Sequence, residues 1–446
     1  YLVALLLYTI LLHYYTGREI YKAGSKARKK IFLVLGIAGS LGLLGFFKYA
    51  DFAIAQFNIF GNIVDLGSEI PLMNLALPIG ISFYSFQSIS YIIDIYRGSL
   101  TPSKTLREYA FFVAFFPTLV AGPILRAKQF LPQLREKIEE VGTTGRLRQF
   151  VIHRSNLKFG LTLMALGFLK KMFFADNIGP LVDNIFSNPI GMESFSIMLG
   201  TIAFGVQIYC DFSGYSDIAI GAALILGFKI PLNFNKPFFA TSPSDFWNRW
   251  HISLSTWVRD YLYYPLIFKN RKSDVIVYSS LLFSMLLMGL WHGASWNFVI
   301  WGGLHGIFLA THTIIKRKFP QISLHPFFQR NTGRIFSVIA TQYLVFFTFI
   351  SFRVQDFDHM WYSMQKYVLW DFATEQIIEL VALNKFPVIL IIIFFILNFA
   401  SYKHGNLPKA IANIKLRYWF SFLGSVLMLV LIFETGPAQD FIYFKF

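Results

Sequence analysis

A histidine stands at the junction of two apolar runs, in the stretch GLWHGASW that covers residues 289–296. If these runs lie in a bilayer, an ionisable side chain there is costly and by default marks a functional site that faces the protein interior. Desolvation favours the neutral imidazole of His292, which is the form that accepts a proton in general base catalysis. A hydrogen bond between packed helices is the competing explanation, and the small residues and tryptophans around His292 favour a catalytic role.

A second histidine, His251, lies in the segment 242–266, SPSDFWNRWHISLSTWVRDYLYYPL. Ser242 before Pro243 predicts the start of a helix, with Asp245 as the partner of the cap. One continuous amphipathic helix is expected here, at or just inside the cytoplasmic membrane interface. Its two predicted stripes are Phe246, Trp250, Trp257 and Tyr261, and Ser244, Asn248, His251, Ser255 and Arg259.

Two hypotheses remain open for His251. An interfacial helix needs polar residues, so His251 could serve solubility alone. The functional hypothesis is a cytoplasmic vestibule in which Arg249, Arg259 and Lys236 meet an anionic donor such as a nucleotide or phosphopantetheine.

Carboxylates and hydroxyls occur inside another apolar run, in YCDFSGYSDIAIG over residues 209–221. Asp211 and Asp217 either pair with a buried Lys or Arg or line a cavity. Ser213 and Tyr215 add hydroxyls that could bond across helices. His305 and His312 have no carboxylate or cysteine in register, so no metal site is predicted, and the Gly302/Gly306 pair predicts close helix packing.

The elements that must hold these residues are membrane helices. The chain is 55% hydrophobic and only 14% charged, whereas soluble domains carry about a quarter charged residues. Its composition therefore indicates an all-α integral membrane protein. The single cysteine, Cys210, excludes an intrachain disulfide.

Ten apolar runs are long enough to be predicted as spans. On one side of these runs the loops hold 32 Lys and Arg, against four on the other. This asymmetry predicts that the basic loops lie in the cytoplasm and both ends of the chain outside. It also accounts for the net charge of +16, so binding to nucleic acid is not needed to explain that charge. The ten predicted spans are residues 1–15, 31–50, 72–93, 155–175, 197–228, 275–291, 296–315, 334–352, 386–401 and 418–434.

One further apolar run, YAFFVAFFPTLVAGPI at 109–124, is not expected to span. Basic residues flank it on both sides, and Pro117 and Pro123 break helices, so it is predicted to be a re-entrant or interfacial piece. We predict a single membrane domain over residues 1–446. Because the chain opens inside an apolar run and lacks the features of a signal peptide, we expect that an N-terminal part is missing.

Together these stretches resemble the membrane-bound O-acyltransferases, in the bacterial branch typified by the membrane component of alginate O-acetylation. The resemblance extends over nearly the whole chain. The segments that carry it are LPIGISFYSFQSISYIIDIYRG (77–98), FFPTLVAGPILR (115–126), YCDFSGYSDIAIG (209–221), NFNKPFFATSPSDFWNRWHISLSTWVRDYLYYPL (233–266), GLWHGASWNFVIWGGLHG (289–306) and FIYFKF (441–446).

The resemblance implies a helical membrane fold in which a tunnel meets a reactive histidine, matched here by His292, with His251 at the second active-site position. It also implies that no cofactor is bound and that acetyl-CoA approaches from the cytosol. On the outer face of the inner membrane, a hydrolase-like (SGNH-type) partner acetyltransferase would then modify an exported polysaccharide.

We assign His292 as general base or transient acyl carrier, and His251 as the group that orients the donor or stabilises the oxyanion. The remaining predicted site residues are Asn235, Arg249, Trp250 and Arg259 for a donor mouth, and Asp211, Ser213 and Tyr215 for a tunnel wall.

Three alternatives to this function stay open. The donor could be a carrier-protein thioester, as in D-alanylation of teichoic acids. A lipid acyltransferase of the same superfamily would need a lateral opening for a long chain. A transporter or passive acyl conduit would do no chemistry, and an alternating-access transporter should show inverted repeats that the sequence lacks.

Overall fold

The computed structural model describes residues 2–65, 67, 69–144, 154–433 and 441–442. Regular structure in these ranges is helical throughout, with no strand among the described residues. The predicted all-α class is therefore confirmed. The terminal FIYFKF stretch falls largely outside the described residues, apart from Phe441 and Ile442.

The chain groups into two compact units, and the first comprises Tyr1–Arg154 with Ile225–Pro231. Its described helices are α1 (Leu2–Lys22), α2 (Lys26–Ile63), α3 (Ile81–Tyr96), α4 (Leu106–Val113), α5 (Phe116–Leu119) and α6 (Ala127–Thr144).

Helix α3 is almost entirely buried in the protein. It begins behind Gly80, whose φ of 76° lies in the left-handed region, and a Cβ there would sit 2.3 Å from the carbonyl oxygen of Leu119. Only glycine fits this close approach. The predicted span 72–93 is wrong over 72–80, which is not helical, because Pro78 and Gly80 oppose a helix there.

The predicted non-spanning run 109–124 is divided between two short helices. Helix α4 ends at Val113, and α5 starts at Phe116 with Pro117 in its first turn. The prediction that the prolines prevent one continuous helix is confirmed. Its location at the membrane interface stays a prediction.

The second unit comprises Ser155–Leu224 and Leu232–Phe446 and carries every predicted site residue. The single domain predicted over 1–446 stays a prediction. The α-helices in this part of the chain are α7 (Arg154–Phe168), α8 (Asp176–Phe186), α9 (Ser194–Ile225), α10 (Pro243–Trp247), α11 (Ile252–Val258), α12 (Tyr264–Ile267), α13 (Asp274–His292), α14 (Trp296–Lys318), α15 (Pro320–Leu324), α16 (Pro326–Gln329), α17 (Asn331–Arg353), α18 (Phe357–Val368), α19 (Glu375–Leu383), α20 (Lys385–His404), α21 (Leu407–Asn413) and α22 (Leu416–Ile432).

Six of the described helices are long and apolar enough to cross a membrane, namely α2, α9, α13, α14, α17 and α20. Each coincides with one of the predicted spans. Helix α22 is also apolar but has only 17 residues, and the predicted span 155–175 changes from α-helix to a π-helical turn at Leu169–Ala175. The predicted total of about ten spans is not confirmed.

Helices α13 and α14 form an antiparallel hairpin whose connection is only residues 293–295. Their backbones touch, because a Cβ on Gly302 would lie 2.3 Å from the carbonyl oxygen of Met285 and one on Gly289 would lie 2.2 Å from that of Phe298. Gly306 packs in the same way against Leu282. The close packing predicted from Gly302 and Gly306 is confirmed, and it holds His292 at the closed end of the hairpin.

Candidate active site

The predicted continuous helix around His251 is wrong, because the segment is broken in its middle. Ser242 caps α10 as predicted, accepting a hydrogen bond of 3.1 Å from the amide of Asp245. The carboxylate of Asp245 reaches back to the amide of Thr241, at 3.0 Å. Helix α10 then ends at Trp247, and His251 has φ 42° and ψ 52° before α11 begins.

A neighbouring stretch of backbone holds this break in place. The amide of Ile252 donates to the carbonyl of Asn233, and the amide of Asn235 donates to the carbonyl of Arg249, each at 2.9 Å. The Asn233 side chain also accepts a 2.6 Å hydrogen bond from Ser253. These bonds offset the cost of a left-handed residue, which is about 1–2 kcal/mol.

The ring of His251 consequently points into the protein rather than along a polar stripe. Its exposed fraction is 1%, and its centroid lies 4.6 Å from that of Phe212, edge to face. Burial lowers the pKa of His251 to about 3, because the charged form is desolvated. The imidazole is therefore neutral at physiological pH.

His292 is the last residue of α13, and 6% of it is exposed. Its ring contacts three aromatic rings edge to face, with centroid distances of 4.9 Å to Trp291, 4.9 Å to Trp301 and 5.3 Å to Phe352. The turn behind it requires glycine, since a Cβ on Gly293 would lie 2.1 Å from the ring of Phe298. The chain turns at this position before α14 begins.

Trp291 brings the two histidines into one cluster. Its ring centroid lies 6.4 Å from that of His251 and 4.9 Å from that of His292. Two buried imidazoles, one at the end of α13 and one at the break between α10 and α11, thus flank a single indole.

A cavity of about 240 Å³ lies between the broken segment and the α13–α14 hairpin. Met288, one turn before His292, and Ile252, directly after His251, both line it. One wall is apolar and includes Leu281, Met285, Met288 and Leu309. The facing wall carries polar side chains among apolar ones such as Trp247, Ile252 and Val258, and the polar side chains are those of Ser244, Asn248, Ser255, Thr256 and Arg259.

The residues predicted for a donor mouth are placed apart from one another. The half-buried Arg249 pairs with Asp245 at 2.7 Å, and the exposed Arg259 bonds Asp260 at 2.9 Å. Of these residues only Arg259 lines the cavity. Asn235 is exposed and meets Arg249 through its backbone, as described above.

Trp250 is buried and lies within an aromatic cluster. Its ring stacks on Phe246 at 5.5 Å and meets Phe234 edge to face at 5.1 Å. Its position suggests support for the backbone beside His251 rather than contact with a ligand.

The residues predicted for a tunnel wall lie within α9. Asp211 is buried and ion-paired to Lys171 at 2.7 Å, and it accepts a 2.8 Å hydrogen bond from the amide of Ile442. Asp217 pairs with Lys170 at 2.6 Å. Of the two hypotheses for these carboxylates, pairing with lysine is the one observed.

Ser213 and Tyr215 lie on the same stretch of α9. Ser213 is buried, and the ring of Tyr215 lies 5.0 Å from that of Phe441. Phe441 also lies 6.1 Å from Phe212, the residue that contacts His251. Two aromatic rings, Phe441 and Phe212, thus separate Tyr215 from His251.

Two residues that complete the site were missed at the sequence level. Trp301 lies against His292, whereas Trp296, its nearer neighbour along the chain, is 56% exposed. His305 lies 4.8 Å from Trp301. The spacing in the sequence indicates their mutual contact, since Trp301 and His305 are four residues apart and therefore share one face of a helix.

The remaining histidine of α14 makes a structural hydrogen bond. His312 lies 3.0 Å from the hydroxyl of Ser244. Within the described ranges, no three His, Cys, Asp or Glu side chains converge in a way that could hold a metal ion.

The chain matches the family model described as MBOAT, membrane-bound O-acyltransferase family, over residues 102–355. This range is more than half of the chain. It contains both His251 and His292.

Curated relatives carry three different names. The chain is 38% identical over 412 residues to a probable alginate O-acetylase AlgI of Azotobacter vinelandii, covering 90% of this chain and 77% of that protein. It is 36% identical over 342 residues to a peptidoglycan O-acetyltransferase of Helicobacter pylori, covering 71% and 62%. It is 31% identical over 303 residues to a teichoic acid D-alanyltransferase of Bacillus subtilis, covering 65% and 72%.

The family match, the similarity to the Azotobacter protein and the long apolar helices agree with one another. The resemblance noted in the sequence is thereby confirmed. The chain belongs to the membrane-bound O-acyltransferase family, and it is a multi-pass membrane O-acyltransferase.

Proposed function

We propose that the chain takes an acetyl group from a cytosolic thioester, acetyl-CoA, and passes it across the membrane for O-acetylation of an exported polysaccharide. The observation that carries the proposal is the pair His251 and His292, whose buried rings flank Trp291 beside the cavity. The relatives named for alginate and peptidoglycan O-acetylation support the choice of acetyl group and of polymer.

In this mechanism His292 is the general base. Its neutral imidazole removes the proton of an acceptor hydroxyl while the hydroxyl oxygen attacks the thioester carbonyl. The tetrahedral intermediate then collapses, the carbon–sulfur bond breaks, and the departing thiolate takes the proton from the imidazolium. The products are an ester and a free thiol. Transient acylation of His292 itself would divide the same transfer between two steps.

His251 would stabilise the oxyanion of that intermediate. A neutral imidazole carries one N–H, and a fixed donor in a site shielded from water stabilises developing negative charge strongly. The broken, hydrogen-bonded backbone around His251 holds the ring in place before the reaction starts. Such preorganisation is what oxyanion stabilisation needs.

The cavity would receive the thioester arm of the donor. A pantetheine arm combines amide groups with an apolar branched carbon, which fits one polar and one apolar wall. Arg259 on the polar wall, with Arg249 nearby in the chain, would favour the anionic part of the donor.

The central test is the replacement His292→Ala in purified protein supplied with acetyl-CoA. Loss of a general base should lower the rate of CoA release from the purified protein, and the O-acetylation of exported polysaccharide in cells that carry the variant, by about 10²- to 10⁴-fold. His404→Gln is the control, because His404 is exposed at the end of α20 and should keep the wild-type rate. A folded His292→Ala protein that acetylates at the wild-type rate would rule out the assignment.

Two substitutions at His251 separate hydrogen bonding from proton transfer. His251→Ala removes the donor and should lower the rate by about 10²- to 10³-fold. His251→Asn keeps an N–H donor and should retain most of the activity. If both substitutions abolish activity equally, His251 does not act as a hydrogen-bond donor alone.

A carrier-protein thioester is the second candidate donor, favoured by the similarity to the teichoic acid D-alanyltransferase. Purified membranes given acetyl-CoA or an acylated carrier protein separate the two. We expect free CoA to be released from acetyl-CoA. If acyl transfer occurs only from the acylated carrier protein, the donor in the proposal changes from acetyl-CoA to the carrier thioester. The proposed roles of the histidines then stay the same.

The outward half of the process would involve a second protein. We propose that a hydrolase-like acetyltransferase on the outer face of the inner membrane receives the acetyl group and transfers it to the polymer. The charge asymmetry of the loops supports a cytoplasmic donor side, opposite to this partner.

A further inference from the structure

A third buried histidine, His305, has no part in the mechanism above. Its Nε2 atom lies 3.0 Å from the hydroxyl oxygen of Thr348 on α17, and 1% of the residue is exposed. The Thr348 hydroxyl also donates to the carbonyl of Val345 at 2.7 Å. A hydroxyl has one proton to donate, so Thr348 must accept from His305, whose proton is therefore on Nε2.

This hydrogen bond fixes the rotation of the His305 ring. The ring also lies parallel to Phe246, at 6.1 Å and 6°, and meets the edge of Trp247 at 5.0 Å. Both aromatic residues belong to α10, the short helix that leads to His251. His305 thus ties together α10, α14 and α17.

Trp301 lies between His305 and the reactive histidine. Its centroid is 4.8 Å from that of His305, at 69°, and 4.9 Å from that of His292, at 86°. Trp301 and His305 are one turn apart on α14, so their contact is a local one. Edge-to-face packing constrains the tilt of each ring, so Trp301 forms a continuous ring contact from His305 to His292.

We propose that His305 is a positioning residue for acyl transfer: through its hydrogen bond to Thr348 and its packing on Trp301, it sets the ring plane of His292. The inference rests on the proposed function, since it assumes that His292 is the group whose orientation limits the rate. An apolar ring in place of His305 would fill the same space but would lack the bond to Thr348 that fixes it.

Three substitutions test this role. His305→Leu removes the hydrogen bond and the ring, and His305→Gln keeps an N–H donor near the position of Nε2. Thr348→Val keeps nearly the same volume but removes the hydroxyl, and with it both the acceptor for His305 and the local bond to the Val345 carbonyl. Small displacements of a reacting group cost up to about 100-fold in rate. We expect kcat to fall roughly 10- to 100-fold in His305→Leu and less in His305→Gln.

The Thr348→Val substitution should lower kcat in the same direction, and the double substitution with His305→Leu should be no worse than His305→Leu alone. This lack of additivity is the signature of one shared interaction. The KM for the thioester donor should stay unchanged, because neither side chain lines the cavity.

The pH–rate profile distinguishes positioning from a structural role. A changed environment of His292 should move the midpoint of its ionisation in the His305→Leu and Thr348→Val proteins, while His404→Gln keeps the wild-type midpoint. The inference is overturned by wild-type kcat in Thr348→Val, or by an activity loss that matches the loss of folded protein at an unchanged midpoint.

Failure of the inference can be told apart from failure of the proposed function. An inactive His292→Ala protein beside fully active His305 and Thr348 variants refutes only the positioning role. An active His292→Ala protein refutes the general base and the positioning role together. If His305→Leu does not fold, Thr348→Val decides the matter alone.

Discussion

The two histidines of the site are held by different means. His292 ends a helix and is enclosed by three aromatic rings, whereas His251 lies at a break where its own backbone is in the left-handed region. Non-glycine residues are held in that region mainly where the surroundings compensate for the strain. For His251 the compensation comes from the backbone of residues 233–235. We interpret the strain as the cost of aiming the His251 imidazole at Trp291.

The pKa of His251 predicts a dependence of stability on pH. Its pKa is lowered to about 3 in the folded protein, and the ordinary value is about 6.5. Between these values the unfolded chain binds the proton and the folded one does not, so stability falls as pH falls below about 6.5. The slope from this residue is about 1.4 kcal/mol per pH unit.

Thermal unfolding in detergent at pH 7 and at pH 5 measures this effect. The wild-type protein should lose more stability on acidification than His251→Asn, which has no group to titrate. The other histidines are common to both proteins, so their contributions cancel in the comparison. Parallel losses in the two proteins would contradict the buried neutral state of His251.

At the scale of elements, the α13–α14 hairpin determines where His292 sits. Its helices approach until backbone meets backbone at Gly289, Gly302 and Gly306. At such close contacts an added methyl group cannot be accommodated unless one of the two helices shifts. The position of His292 is therefore sensitive to substitutions several turns away.

Adjacent glycines in α14 provide a matched pair for testing this sensitivity. A methyl group on Gly302 would meet the backbone of Met285 at 2.3 Å, whereas one on Gly303 would meet only a side-chain atom of Leu286 at 3.4 Å. Gly302→Ala should cost about 1–3 kcal/mol of stability and lower activity. Gly303→Ala should be neutral or slightly stabilising, because alanine favours helix by up to about 1 kcal/mol.

The measurement is the melting temperature and the rate of CoA release for both proteins. Equal melting temperatures would show that the hairpin can open without strain. A stable Gly302→Ala protein with wild-type activity would contradict the link between backbone contact and the position of His292.

Local rules were sufficient to predict several elements. The cap at Ser242 and the tight packing at Gly302 each depend on nearby residues in the chain. The break before His251 could not be predicted in this way, because Asn233 and Asn235 supply its hydrogen bonds from outside the segment. For the same reason two of the three aromatic partners of His292, Trp301 and Phe352, could not be predicted from the neighbouring sequence, because helix packing brings them to the histidine.

At the scale of the whole molecule, the distribution of charge predicts an orientation. The loops predicted in the cytoplasm carry 32 Lys and Arg, and the opposite loops carry four. Under the positive-inside rule, Asn270 belongs to the cytoplasm and Thr374 to the outside. Both residues are exposed, so each can be replaced by cysteine as a reporter.

A membrane-impermeant maleimide applied to intact cells should label Thr374→Cys and not Asn270→Cys, and should label both after lysis. The wild-type chain is the control, because its single cysteine, Cys210, is buried. Labelling of Asn270→Cys in intact cells would invert the proposed direction of transfer.

The methionines in the cavity wall have a consequence for how such enzymes diversify. Met285 and Met288 line the space next to His292, and thioether side chains adapt their shape to irregular volumes at little cost. Under the proposed function, substitutions at these two positions should change the size of the acyl group that the cavity accepts while both imidazoles stay in place.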